Sequence, residues 1–314
     1  MTIVKPPALM PGDRVAVLAP ASPFSREEFE DGLAELTAIG FEALYDDRVF
    51  ERDGYVAGSP ETRARAFIEA WTDPSVRAVL TARGGYGSAQ ILPFLSAEIL
   101  RATPKLLVGY SDITALLSFV TTRCGIVSIH GPTITGRFAR GETGYDRSSF
   151  LRSMCVSEPL GELTSPALET MRTGEAEGVL VGGNLTQLAA SLGTRYAFDP
   201  PDKCVLFLED VNERPYRLDR LLTQLRHAGV LTRAVALVFG EMPGCDEPDG
   251  SMSAQDAIAR SVRDFSGPVL VGLASGHTPH PAITLPLGVR ARVLGGAQPA
   301  LTMTEAAVSP RTRL

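Results

Sequence analysis

The stretch Leu106-Leu107-Val108-Gly109-Tyr110-Ser111-Asp112-Ile113-Thr114-Ala115-Leu116-Leu117 decides how the chain is read. Leu106 to Val108 is a short apolar run of the kind that forms a buried strand, and Ile113 to Val120 has the pattern of a helix. Gly-Tyr-Ser-Asp between them makes a strand-to-helix turn with a hydroxyl at its apex. A serine there projects its oxygen away from the sheet, and the next backbone N–H lies at a helix N-terminus, where it can stabilise an oxyanion. The second glycine of the G-x-S-x-G elbow is missing, because Ile113 occupies its place. On local sequence alone, Ser111 or Asp112 could equally be a helix N-cap.

Working outward, the chain alternates strand and helix patterns. Strands are expected at 15–19, 41–45, 76–82, 105–110 and 126–130. Helices are expected at 27–39, at about 60–71 with Ser59 as N-cap and Pro60 at the first helical position, and at 88–94. Repeated β-α units with short loops imply a parallel sheet covered by helices on both faces. Ligands in such sheets bind at the carboxyl ends of the strands, where Ser111, His130 and the loop Arg83-Gly84-Gly85-Tyr86-Gly87 all fall. The glycine loop lacks both the P-loop and the dinucleotide fingerprints. Its glycines would let a backbone N–H come close to a substrate carbonyl, or simply make a tight turn. From Thr133 to Glu177 the pattern breaks down, which predicts an interdomain connection with a mobile lobe. A second unit begins with the glycine-rich apolar stretch 178–185, followed by strands at 205–208, 234–239 and 269–273, helices at 214–227 and 254–262, and short strands and turns from 284 to 308.

Composition narrows the chemistry. In 314 residues, Lys and Arg total 30 against 36 Asp and Glu, a net charge of −6, which speaks against nucleic-acid and anionic-membrane surfaces. No apolar run is long enough for a membrane span, and the first residues lack the apolar core of a signal peptide. The four cysteines, at 124, 155, 204 and 245, show neither metal-site nor disulfide-framework spacing, so a reducing, cytoplasmic setting with no metal and no cofactor is expected.

A serine nucleophile needs a base, and the histidines are His130, His227, His277 and His280. His227 sits in the last turn of a helix, where a cation complements the dipole. His130 ends a strand and could line the pocket. His280 lies between two prolines. His277 follows a strand through Ala274-Ser275-Gly276, whose small residues leave room beside it, so it is the better base, although a surface loop histidine would look the same. The base needs an orienting acid. Glu209 ends an apolar strand, where a buried carboxylate requires a partner, whereas Glu213 precedes a helix that begins with Pro215 and has a sufficient local reason to be there.

Taken together, Arg83-Gly84-Gly85-Tyr86-Gly87, Gly109-Tyr110-Ser111-Asp112, Gly131-Pro132, Gly182-Gly183-Asn184-Leu185, Leu208-Glu209-Asp210-Val211-Asn212-Glu213, Gly276-His277 and Leu285-Pro286-Leu287-Gly288 resemble the LD-carboxypeptidase family of serine peptidases. These act on murein peptides, and microcin C immunity peptidases are relatives. The resemblance spans about residues 10–295. It implies a Ser111–His277–Glu209 triad and an oxyanion hole from the backbone N–H groups of Gly85 and Asp112. Tyr86, Asn184 and Glu213, within the same motifs, are candidates for substrate binding. It further implies an N-terminal Rossmann-like parallel-sheet domain (1–135), a connection (136–177), a C-terminal domain built round a small β-barrel (178–314), and a homodimer. The expected substrate is a small peptide, murein tetrapeptide with its terminal D-alanine. The alternatives are a peptidyl or aminoacyl nucleotide, or a non-catalytic two-domain binding protein.

Overall fold

A computed structural model describes residues 3–311. Five parallel strands form the first sheet: β1 (Arg14–Leu18), β2 (Glu42–Leu44), β3 (Val76–Thr81), β4 (Leu106–Gly109) and β5 (Ser128–His130). Their spatial order is β5-β4-β3-β1-β2, which reverses direction between β1 and β3 and opens a crevice at that point. Apolar side chains on both faces of β1, β3, β4 and β5 are buried, as a sheet covered on both sides demands, while the edge strand β2 is largely exposed. The helices begin where the sequence signals place them. α1 spans Arg26–Ala38, and α2 (Pro60–Thr72) has the Ser59 hydroxyl accepting from the Thr62 N–H, with proline at its start. The expected helix at 88–94 is a 3₁₀ turn instead; Pro93 supplies no N–H for an i→i−4 bond.

The second sheet has eight strands. Six share a continuous order: β13 (Arg290–Gly295), β8 (Gly174–Asn184), β9 (Cys204–Glu209), β10 (Ala234–Gly240), β11 (Val269–Leu273) and β7 (Glu169–Arg172). The sheet rolls until its ends meet. Thr170 on β7 donates its hydroxyl to the Gly296 carbonyl (2.9 Å) and accepts the Gly296 N–H (3.0 Å), beside β13. This is the small barrel. β14 (Ala300–Met303) and β6 (Gly161–Leu163) extend it beyond β13. One face of this sheet joins the core of the first, through Phe207, Val238 and Leu270 among others. The other packs under α7 (Pro215–His227) and α8 (Ala254–Ser261), with Leu218, Leu222, Leu225 and Ile258 buried there.

Two segments cross the expected divisions. Residues expected to form a loose connection supply α5 (Arg147–Cys155), β6, β7 and the start of β8. These strands are short and take their partners from far along the chain, so local patterning does not reveal them. In addition β12 (Leu285–Leu287) leaves the second half and pairs antiparallel with β5, becoming the outer strand of the first sheet. Both sheets therefore point the carboxyl ends of their parallel strands at one region.

Candidate active site

The site is built from those strand ends. After β4, Tyr110 is extended, and Ser111 then takes φ +63° before a helical run opens at Asp112. A left-handed backbone is uncommon for a residue with a side chain and costs energy that the surrounding fold must supply. Gly84 makes room for the serine itself, and Gly109 for the packing of Thr81 and Ile113 on either side of the turn. A Cβ on Gly84 would lie 2.9 Å from the Ser111 Cβ, and one on Gly109 would lie 2.4 Å from the Thr81 hydroxyl. The Asp112 N–H, in the first turn of the helix, has no intrahelical acceptor. The Asp112 side chain ties the serine turn to the glycine loop. Its Oδ2 accepts the Ser88 N–H (2.8 Å), and its carbonyl accepts the Ser88 hydroxyl (2.6 Å). Burial raises the pKa of this carboxyl, against those hydrogen bonds.

The glycine loop follows β3. Gly85 has φ +96°, and a side chain there would strike Ser22, whose Oγ accepts the Tyr86 N–H (3.0 Å). Ser22 follows β1, so the crevice between β1 and β3 is closed by this contact.

Opposite, the second sheet presents Glu209, fully buried at the end of β9. Its Oε2 accepts both the His277 backbone N–H (2.8 Å) and the ring Nδ1–H (2.7 Å). That bond fixes the proton on Nδ1 and leaves Nε2 as the acceptor. Burial disfavours the imidazolium, but the carboxylate beside it prevails, and the His277 pKa is raised. Burial likewise works against the Glu209 carboxylate, and the His277 charge and hydrogen bonds outweigh it, so its pKa is lowered. Gly276, at φ +73°, is what permits the approach: a Cβ there would sit 2.6 Å from the Glu209 carboxyl.

A cleft of about 580 Å³ is lined by Ser111, His277, Tyr110, Gly84, Gly85, Arg83, Glu28 and Gly136. It holds the expected serine, histidine and glycine loop together, with Glu209 directly behind the histidine. No hydrogen bond joins Ser111 to His277 in this state; they face each other only through the shared cleft. The other expected substrate contacts lie elsewhere. Asn184 is buried, and its Nδ2 donates to Glu209 Oε1 (3.2 Å) and Asp210 Oδ1 (3.1 Å). It is held there because its backbone N–H is on Thr114 Oγ1 (3.0 Å), close to the serine helix. Glu213 turns to Arg217 (3.3 Å), one helical turn on. Tyr86 is half-exposed, its ring edge-on to Tyr55 at 5.5 Å.

Two groups escaped the sequence reading. Arg137, buried in the stretch expected as a connection, donates to the carbonyls of Gly276 (2.6 Å), Thr278 (2.9 Å) and Gly144 (3.1 Å), fastening the histidine loop from behind. Glu241 clamps the same loop from the other side through the Thr278 hydroxyl and His280 Nδ1 (2.7 Å). His130 is wholly buried, with Nδ1 3.3 Å from Ser275 Oγ, and burial pushes its pKa down to about 4. It stays neutral and lies outside the cleft lining. Among the described residues, no three His, Cys, Asp or Glu side chains gather as a metal site would require, and no helix is long and apolar enough to cross a membrane.

A hydroxyl on a strained turn, an imidazole oriented by a buried carboxylate, and helix-start and glycine-loop N–H groups are the parts that acyl transfer uses. Comparison with known proteins identifies the family. Models of the LD-carboxypeptidase N-terminal domain and C-terminal domain match residues 15–131 and 177–293. The probable murein peptide carboxypeptidase of Bacillus subtilis is 34% identical over 291 residues, covering 91% of this chain and 90% of that protein. The murein tetrapeptide carboxypeptidase of Pseudomonas aeruginosa is 33% identical over 270 residues, 84% of this chain and 88% of that one. Among solved structures, a muramoyltetrapeptide carboxypeptidase from Oxalobacter formigenes superposes with a TM-score of 0.81 at 30% identity, over 95% of this chain and 100% of that one. The microcin C7 self-immunity protein MccF, in complex with aspartyl sulfamoyl adenosine, shares the fold, with a TM-score of 0.89 at 24% identity over 98% of this chain and 100% of that one. With both domain models matched in order, and full-length relatives named as carboxypeptidases, the chain is a peptidase and belongs to the LD-carboxypeptidase family.

Proposed function

We propose that this peptidase is of the serine type and releases the terminal D-alanine from murein tetrapeptide by cutting an L,D amide bond. The observation that carries the reading is the His277–Glu209 pair facing, across one cleft, a serine held at positive φ. His277 Nε2 takes the Ser111 proton as the oxygen attacks the amide carbonyl. The oxyanion is met by the N–H groups of Gly85 and Asp112, and Glu209 stabilises the imidazolium. His277 then protonates the leaving D-alanine nitrogen, and the C–N bond breaks. Once D-alanine has left, His277 Nε2 takes a proton from water as the water oxygen attacks the acyl-serine ester. It returns that proton to the Ser111 oxygen as the ester C–O bond breaks, freeing the tripeptide carboxylate and Ser111. The names of the B. subtilis, P. aeruginosa and O. formigenes relatives support the choice of a murein peptide.

The test is D-alanine release from tetrapeptide by wild-type and Ser111→Ala protein, with a fluorophosphonate probing the serine. Turnover should fall by several orders of magnitude in a folded Ser111→Ala variant, and labelling should vanish. Undiminished turnover would refute the serine mechanism. Rapid hydrolysis of an aspartyl-adenylate analogue with no action on tetrapeptide would keep the mechanism and refute the substrate.

A further inference from the structure

A carboxypeptidase must read the free carboxylate of its substrate, and the cleft contains one group suited to it. We infer that Arg83 is the receptor for the C-terminal carboxylate of the leaving residue; this rests on the peptidase reading above. Three bonds separate the scissile carbonyl carbon from that carboxylate carbon, so the two lie less than about 4 Å apart. When the carbonyl is on Ser111, its receptor must therefore stand at the lip immediately beside the serine.

Arg83 stands there. The next residue, Gly84, is pressed so closely against Ser111 that a Cβ would come within 2.9 Å of the serine Cβ. The Arg83 side chain is exposed and lines the cleft, and among the described residues its only hydrogen bond runs from Nη1 to the Pro23 carbonyl (3.0 Å). Among the described residues no carboxylate is in ion-pair contact with it, so its charge is free for a ligand. A guanidinium offers a planar fork of donors that matches a carboxylate in two parallel bonds.

The other charged groups nearby are unsuited. Glu28 also lines the cleft, and would repel an anion. Arg137 is buried behind the histidine loop with its donors already on backbone carbonyls. His277 must be neutral to act as a base. Arg83 is also the residue before the glycines of the oxyanion loop, so seating the carboxylate on it would align the scissile carbonyl with those N–H groups.

The experiment compares tetrapeptide ending in D-alanine with the same peptide ending in D-alaninamide, as substrates for wild type, Arg83→Gln and Arg83→Lys. Wild type should favour the acid. Arg83→Gln should lower kcat/KM for the acid by roughly 10- to 150-fold, the range for losing a charged hydrogen-bonded partner, and change the amide less than about threefold. Arg83→Lys should keep the charge but not the fork and fall between. The amide is the internal check on folding. If Arg83→Gln loses activity equally on both substrates, or on neither, Arg83 does not read the carboxylate. A wild type that cleaves acid and amide equally well overturns the receptor alone. A wild type that cleaves neither and ignores a fluorophosphonate overturns the peptidase reading and the receptor with it.

Discussion

Replacing Glu209 by Gln keeps the shape of the side chain and removes its charge. The buried carboxylate accepts two hydrogen bonds from His277 on a single oxygen, at 2.8 and 2.7 Å, and a third from Asn184 on the other. With charge centres about 4 Å apart and an effective dielectric constant of about 20, the attraction to an imidazolium is about 4 kcal/mol. That attraction exists only once His277 has taken the serine proton. At about 1.4 kcal/mol per decade, its loss should slow the chemical step roughly 10³-fold. The pH profile carries a second signature. His277 is a base only when neutral, so activity rises as pH rises through its pKa; because that pKa is raised, the wild-type acid limb should lie above pH ~6.5. Removing the carboxylate should shift the limb to lower pH. D-Alanine release from tetrapeptide, followed from about pH 5 to pH 9, checks both. Glu213→Gln is the control: its pair with Arg217 is partly exposed, so it should cost on the order of 0.5 kcal/mol in stability and leave turnover intact. A Glu209→Gln enzyme within tenfold of wild type, or with an unmoved acid limb, would refute Glu209 as the orienting acid; a dead Glu213→Gln enzyme would hand it that role.

Two further outcomes follow from the same geometry. Gly276→Ala should both abolish turnover and destabilise the protein, since the added methyl meets the Glu209 carboxyl at a position with φ +73°, and the left-handed backbone alone costs about 1–2 kcal/mol; full activity with an unchanged melting temperature would contradict the fixed His277–Glu209 packing. Burial holds His130 near pKa 4 when folded against about 6.5 when unfolded. The unfolded chain therefore binds the extra proton first, and stability complete above pH ~6.5 should decline by on the order of 3 kcal/mol as pH falls toward 4. Urea unfolding at both ends of that window should show a smaller acid loss in His130→Asn than in wild type; equal losses would place the titrating group elsewhere.

What the sequence makes legible here depends on whether the signal is local. Ser111 stands out only in part: its strand-to-helix turn is legible, but a helix N-cap would look the same, and the motifs elsewhere in the chain decide it. Glu209 does so because a carboxylate at the end of a buried strand must be paired. His277 could be preferred among four histidines for the small residues that precede it, though a surface loop histidine would look the same. Arg137 looks like a solvated arginine in a polar stretch; its partners are backbone carbonyls, which leave no mark in composition. Asn184 reads only as a candidate for substrate binding; its role as N-cap, accepting the Gln187 N–H, emerges from the structure. That its amide also braces Glu209 depends on the register between β8 and β9, where Asn184 stands opposite Glu209. The strands at 161–163 and 169–172 escape for the same reason: three or four residues carry too little periodicity, and their partners lie beyond residue 268.

The pairing of β12 with β5 has a consequence for how the molecule is made. A ribosome delivers the five parallel strands early, but the outer edge of β5 stays open until Leu285–Leu287 emerges, long after β5 itself. Until then the nascent chain shows a row of unpaired N–H and C=O groups beside apolar residues, an invitation to other strands. The first half therefore cannot complete its own sheet, and loop closure over so long a separation makes the last step slow. Vectorial folding gives way here to a long-range stitch that completes the first sheet. The stitch lies just downstream of His277, so the segment that brings the histidine to the serine also seals the sheet from which the serine projects.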